Sequence, residues 1–117
     1  MIENQKRERM NGTIWLWCTA KGYQQIASRC FCDAAFTKED KTLTFIYEFD
    51  KSTEELLFCI NATQEKFDNI YIVIDDPSKH KKFDGIIPKH CGIFCSSNPY
   101  GLGMVTQIIR QATDIRD

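Results

Sequence analysis

The chain has 117 residues, 43% of them hydrophobic and 12% aromatic, which predicts one globular domain with its own core and excludes wholesale disorder. Its 15 basic and 16 acidic side chains leave a net charge of −1, so no bulk basic excess announces a nucleic-acid partner and any such binding must come from local patches. No stretch reaches the roughly 18 apolar residues of a membrane helix, and MIENQKRERM lacks the apolar core of a secretory signal, so a cytoplasmic protein with no membrane partner is expected.

Residues 1–10 are polar and helix-compatible, and residues 1–12 are expected as a flexible, frayed arm carrying KRER at 6–9. Residues 13–28, TIWLWCTAKGYQQIAS, show two periods at once. Trp15 and Trp17 alternate with Leu16 and Cys18 as in a buried strand, whereas Tyr23, Ile26 and Ala27 have helical spacing, so a helix or a strand–helix pair fits. CFCDAAF at 30–36 and LTFIYEF at 43–49 flank the polar TKEDKT and predict an antiparallel hairpin. A turn near Glu39 and Asp40 puts Asp33 across from Ile46 or Tyr47, one or two residues from Glu48.

Ser52-Thr53-Glu54-Glu55 fits a capping box, in which the Ser52 hydroxyl accepts the Glu55 amide and the Glu55 carboxylate reaches back to the Ser52 amide. Leu56, Ile60, Thr63 and Phe67 recur at steps of three to four residues and predict an amphipathic helix that stops near residues 68–69. IYIVI at 70–74, ended by DDP, suits a central strand covered on both faces. IIP at 86–88 and GIFC at 92–95 read as short extended pieces, SSNPYGLG as a turn-rich link, and MVTQIIRQATDIR as a terminal helix with Val105, Ile108, Ile109 and Ala112 on one face. The order predicts an α/β fold, a small central mixed sheet with flanking helices.

FIYEFDKSTEELL at 45–57 places two acids at the end of an otherwise apolar strand. If Asp50 is still extended, Glu48 and Asp50 project from the same face, and Asp33 joins them from the neighbouring strand. Three converging carboxylates repel unless a cation neutralises them, and an oxygen-only set suits Mg²⁺ or Mn²⁺, which orients and deprotonates a water for attack on phosphorus. The alternative is structural: a solvent-facing strand end, Asp33 capping a turn or pairing with Arg29, and Asp50 merely preceding the helix.

Asp33 on one strand, Glu48-x-Asp50 on the next, then an amphipathic helix and an apolar strand, resembles the core of the PD-(D/E)XK nuclease superfamily over roughly residues 29–95. YEFDKSTEELL is most similar to small nuclease-like domains such as the plasmid replication-relaxation proteins. FDNIYIVIDD and IIPKHCGIF look like the ending of small DNA-repair-type nucleases. The resemblance implies a restriction-endonuclease-like fold, DNA as partner, Mg²⁺ as cofactor, Asp33, Glu48 and Asp50 as metal ligands, and Asp33, Glu48, Asp50 and Lys51 as the catalytic group. Asp50 stands where most active members have lysine. Lys51 is adjacent, although strand alternation sends it to the opposite face unless a bulge intervenes, and Lys66 or Gln64 from the helix are the substitutes.

Two functions follow. One is a Mg²⁺-dependent DNA phosphodiester hydrolase or DNA-processing accessory protein. The other is a catalytically inactive nuclease-fold module of phage or mobile-element origin that binds a protein partner through Trp15, Trp17 and Tyr23 or through residues 98–103. Lys79, Lys81, Lys82 and Lys89 with His80 and His90 form the best local basic patch, or else a solvated loop. Cys30, Cys32, Cys91 and Cys95 with His90 lack the finger or ribbon spacing of a zinc site, and the cysteines read as reduced structural thiols. No serine elbow, P-loop or dinucleotide fingerprint is present.

Overall fold

A computed structural model describes residues 2–27, 31–67, 69–83, 85–97 and 105–113. Its elements run α1 (Ile2–Ala20), β1 (Gln24–Ile26), β2 (Ala34–Lys38), β3 (Lys41–Tyr47), α2 (Thr53–Gln64), β4 (Asn69–Ile74), a 3₁₀ segment (Pro77–Phe83), β5 (Gly92–Ser97) and β6 (Val105–Arg110). The six strands lie side by side in chain order. β1–β2 and β2–β3 are antiparallel, β3–β4 and β4–β5 parallel, and β5–β6 antiparallel, so the fold is α/β with a mixed sheet flanked by helices.

Strand alternation sorts the core into two layers. Leu43, Phe45 and Tyr47 of β3, Tyr71 and Val73 of β4 and Phe94 of β5 pack with Met10, Ile14 and Cys18 of α1. Ile46, Ile70, Ile72, Ile74, Ile93 and Cys95 face the other way, onto Leu56 and Ile60 of α2 and onto Phe83 and Ile87. β4 therefore reads as an unbroken apolar run because both of its faces are covered. The α1 layer is largely aromatic: Phe45 contacts Phe36, Tyr71 and Phe94, and Trp17 meets Phe94 edge-on at 5.3 Å between ring centres.

The hairpin, the capped helix and the central strand fall where the sequence placed them. Ala34 pairs with Phe45 and Lys38 with Lys41 around the Glu39-Asp40 turn, and the Asp33 amide donates to Phe45 O at 2.8 Å. Ser52 caps α2 by accepting the Glu55 amide at 3.2 Å, as expected, while the Glu55 carboxylate takes the Ser52 hydroxyl at 3.1 Å instead of the Ser52 amide. Leu56, Ile60 and Thr63 form the buried stripe of α2.

Three segments differ from the sequence reading. The expected arm is helical from Ile2 and continues without a break to Ala20, because residues 2–11 contain no Gly or Pro and because Met10, Ile14 and Cys18, four apart, make one buried stripe. The chain then turns at Lys21-Gly22, with Gly22 at φ 89° and its amide on Thr19 O, so Tyr23 and Ile26 fall in or beside a strand instead of a helix. The expected C-terminal helix is strand β6: the Val-Thr-Gln-Ile-Ile run is β-branched, Ile108 packs in the α1 layer and Ile109 in the α2 layer, and only an extended chain sends neighbours to opposite faces. Residues 86–88 are not extended; the amides of Ile86 and Ile87 both donate to Phe83 O in a turn. Residues 98–103, Arg29 and Cys30, with the roles considered for them, lie outside the described residues.

Gly12 sits inside α1, and a Cβ built there meets nothing within 4 Å. Alanine relieves the backbone entropy cost without a clash, so Gly12→Ala is expected to stabilise the protein by about 0.5–1 kcal/mol in denaturant unfolding. A destabilised variant would show that α1 does not persist as a helix through residue 12.

Candidate active site

The topology gathers charged residues at one end of the sheet. Because β3 and β4 are parallel, their carboxyl ends emerge together, carrying Glu48 and Asp75. The antiparallel β2 begins at that same end, preceded by Asp33. The backbone amide of Glu48 donates to Val73 O at 3.1 Å, which ties the two parallel strand ends together.

Lysine and arginine side chains interleave with these acids. Lys51 Nζ lies 3.1 Å from Asp33 Oδ2, 3.0 Å from Asp50 Oδ1 and 2.8 Å from Tyr47 O. Arg7 of α1 donates through one nitrogen to Asp33 and through another to Asp50. The Tyr47 amide also donates to Asp33 Oδ2 at 2.8 Å. Lys79 bridges a second pair, 2.8 Å from Glu48 Oε1 and 2.7 Å from Asp75 Oδ1, and Lys6 holds the other Asp75 oxygen. The Tyr47 hydroxyl donates to Asn11, and the Arg7 guanidinium lies over the Tyr47 ring at 5.3 Å, so the first three turns of α1 are fastened to the end of β3.

The position of Lys51 follows from where β3 stops. The strand ends at Tyr47, Phe49 and Asp50 are in a turn, and the Lys51 amide donates to Glu48 O at 3.1 Å. Simple alternation would carry Lys51 away from the acids. The turn folds it back onto them, so Asp50 and Lys51 are both brought to Asp33. Glu48, the first residue after the strand, is nearly buried, at 5% exposure, and its carboxylate meets Lys79.

These contacts set the ionisation of the acids. Burial works to raise the Asp50 carboxyl, but hydrogen bonds from Lys51 and Arg7 overcome it and hold the group below the usual carboxylate value. Asp75 is likewise lowered, burial being outweighed by Lys6 and Lys79. Lys79 is raised, its desolvation overcome by Asp75 and Glu48. Burial pushes the thiols of Cys18 to about 12 and Cys91 to about 11, which makes them unreactive core groups.

Among the described residues no three Asp, Glu, His or Cys side chains form a group able to hold a metal ion. The acids come as two cation-bridged pairs, Asp33 with Asp50 and Glu48 with Asp75. Gln64 and Lys66 stand elsewhere. α2 starts beside the acids at Ser52 and its 12 residues span about 18 Å, so its last turn reaches the opposite end of the sheet. There Lys66 lines a cleft of about 600 Å³ with Lys41, Leu43, Asn69 and Tyr71.

No family model, curated protein or solved structure matches the chain.

Sequence reasoning missed Arg7, Lys6, Asn11, Asp75 and Lys79 as members of this cluster. KRER at 6–9 and DDP at 75–77 were visible as charges, but apart from the Asp75–Lys79 pair, four residues apart, their partners lie 26 to 69 residues away in the chain. The local signals were the position of Asp75, directly after the apolar run 70–74 of the strand that pairs with β3, and its spacing of four residues from Lys79. The exposed rings of Phe31 and Phe58 meet edge-on at 5.0 Å. Of the aromatic residues considered as a partner surface, Trp17 is packed in the core layer and Trp15 is 46% exposed. No helix among the described residues is long and apolar enough to cross a membrane.

Proposed function

We propose that the chain is a cytoplasmic PD-(D/E)XK-like nuclease domain that hydrolyses DNA phosphodiesters with Mg²⁺. The observation that carries the reading is the return of Lys51 to Asp33 and Asp50, 3.1 and 3.0 Å away, in the turn directly after Glu48. A lysine among acids at a strand end is the combination that phosphoryl transfer needs, one charge type for each side of the reaction. The order of Asp33, β2, β3 with Glu48, α2 and β4 supports the same reading.

On this reading Asp33 and Glu48, which stand here in separate cation-bridged pairs, are the oxygen donors that would have to converge on Mg²⁺, with Asp50 beside Asp33, and the ion would take the place of the bridging cations. Bound there, the ion would polarise the phosphoryl group and lower the pKa of a bound water. Lys51 carries the rest. Its side chain is 13% exposed and its ammonium spends its three N–H donors on Tyr47 O, Asp33 and Asp50, so on this reading it would exchange one carboxylate for the attacking water or the phosphate, orienting the one and offsetting charge on the other.

A cleavage assay with supercoiled, linear and single-stranded DNA in Mg²⁺ tests the proposal. Wild type is expected to cut at least one form, and Lys51→Met or Glu48→Gln to lose on the order of 10²-fold or more in rate. Equal rates in wild type and both variants would reject these residues as the site.

One observation favours a second reading, a non-catalytic module that binds a protein partner. Arg7 already joins Asp33 to Asp50, so the acids are neutralised without any ion. On that reading wild type cuts no DNA, and the charged cluster serves only to fasten α1 to the sheet.

A further inference from the structure

The two halves of α1 are held by different forces. From Met10 onward the helix is seated in the core, with Met10, Ile14 and Cys18 at 0% exposure. Ahead of Met10, none of the side chains of residues 5–9 is buried, and Lys6 and Arg7 are 40% and 34% exposed. The first two turns therefore dock on the sheet through charge. Lys6 pairs with Asp75, Arg7 pairs with Asp33 and Asp50, and both cations lie near the Phe49 ring, at 5.3 and 5.9 Å from its centre. Ion pairs this open to water are screened, and a helix end without core contacts opens at far lower cost than the whole fold.

Arg7 and Lys51 divide the oxygens of Asp33 and Asp50 between them. Lys51 takes Oδ2 of Asp33 and Oδ1 of Asp50, at 3.1 and 3.0 Å, and Arg7 takes the other oxygen of each through the two terminal nitrogens of one guanidinium. Two carboxylate oxygens from separate segments are thus brought to a single point, and the group at that point is a cation. Lys51 is bound in its place by Tyr47 O at 2.8 Å and by standing next to Asp50 in the chain. Arg7 rides on a helix end held by charge alone, so of the two it is the cation that can leave without disturbing the sheet.

We propose that residues 2–9 are a releasable strap: the Arg7 guanidinium holds the place of a divalent cation at Asp33 and Asp50, so docking of the strap and metal binding exclude each other. The inference rests on the metal-dependent reading of the site and adds to it a built-in inhibitor. Asp33 Oδ1 and Asp50 Oδ2 cannot serve both cations at once, and a guanidinium left beside a divalent ion is repelled. The coupling is reciprocal: the strap weakens metal binding by the same factor by which the metal weakens docking.

Two measurements without DNA test the strap. Calorimetric titration of Mn²⁺ compares wild type with Arg7→Ala, and amide hydrogen exchange of wild type is followed with saturating Mn²⁺ and with KCl at matched ionic strength. Arg7→Ala is expected to bind Mn²⁺ at least about 5-fold more tightly than wild type, the low end of the usual coupling between sites. Mn²⁺, unlike KCl, is expected to speed exchange at residues 6–13, whose helical acceptors are the carbonyls of residues 2–9, and to leave residues 14–20 unchanged. Equal or weaker Mn²⁺ binding by Arg7→Ala, or exchange that the metal leaves unchanged, would overturn the strap while leaving the metal site standing. Binding by neither protein would reject the metal reading and the strap with it. If Arg7→Ala does not fold, the exchange of wild type decides alone.

Discussion

Arg7→Ala is expected to destabilise the protein by about 2 kcal/mol, lowering Tm by roughly 10 °C. Arg7 is the only described side chain that joins α1 to both Asp33 and Asp50. Removing it also ends the stacking of a cation on Tyr47 and Phe49. Breaking a fully buried ion pair costs more, roughly 3–5 kcal/mol, but the Arg7 side chain is 34% exposed and solvent screens part of the loss. Arg7→Lys keeps the charge without the two-pronged geometry and is expected to recover less than half of the stability.

The pH dependence has a defined sign. The Asp50 carboxyl is lowered in the folded protein, so its contribution is fully present above the unfolded carboxylate value and is lost as pH falls through the lower folded one. The stability gap between wild type and Arg7→Ala should therefore be constant near neutral pH and shrink below about pH 4. A gap that is independent of pH down to strong acid would show that Arg7 acts through packing alone.

Gly92→Ala is the second large effect, about 3 kcal/mol or more of destabilisation in denaturant unfolding. Gly92 pairs with Tyr71 across the parallel β4–β5 ladder. A Cβ there would stand 2.4 Å from one ring carbon of Tyr71, 2.5 Å from the next, and 2.7 Å from the backbone nitrogen of Ala112. The Thr113 amide donates to His90 O at 2.9 Å, which closes the segment after β6 over this spot. The ring could shift; the backbone nitrogen cannot do so without pulling the C-terminal segment away. Tyr71→Ala in the Gly92→Ala background should consequently relieve only part of the cost. Full rescue would mean that the ring is the sole obstacle.

Elements that rest on local chemistry could be read from the sequence. The Ser52 cap, the Leu56-Ile60-Thr63 stripe, the Glu39-Asp40 turn and the doubly covered run at 70–74 each depend on residues within a few positions of one another. α1 could not be recognised as one helix, because its first half owes its place to Arg7, Lys6 and Asn11 meeting acids and a tyrosine far along the chain. β6 was misread because Val105, Ile108, Ile109 and Ala112 satisfy a helical period as well as an extended one. What separated the two was the need for a pairing partner at β5, which no periodicity contains.

The site was legible in part for the same reason. Asp33 near the end of β3 follows from the hairpin register, which the turn fixes. Lys51 beside Asp33 does not, because it depends on β3 stopping at Tyr47 and on one turn hydrogen bond from Lys51 to Glu48. Lys79 and Asp75 enter only once β4 is known to run parallel to β3.

Calorimetric titration of Mn²⁺, as a stand-in for Mg²⁺, into wild type and Glu48→Gln tests the central claim most directly. Saturable binding by wild type that is lost in Glu48→Gln, with both proteins folded by circular dichroism, is the predicted result. No binding by wild type, or binding that Glu48→Gln leaves unchanged, would contradict a metal-dependent site built on Glu48.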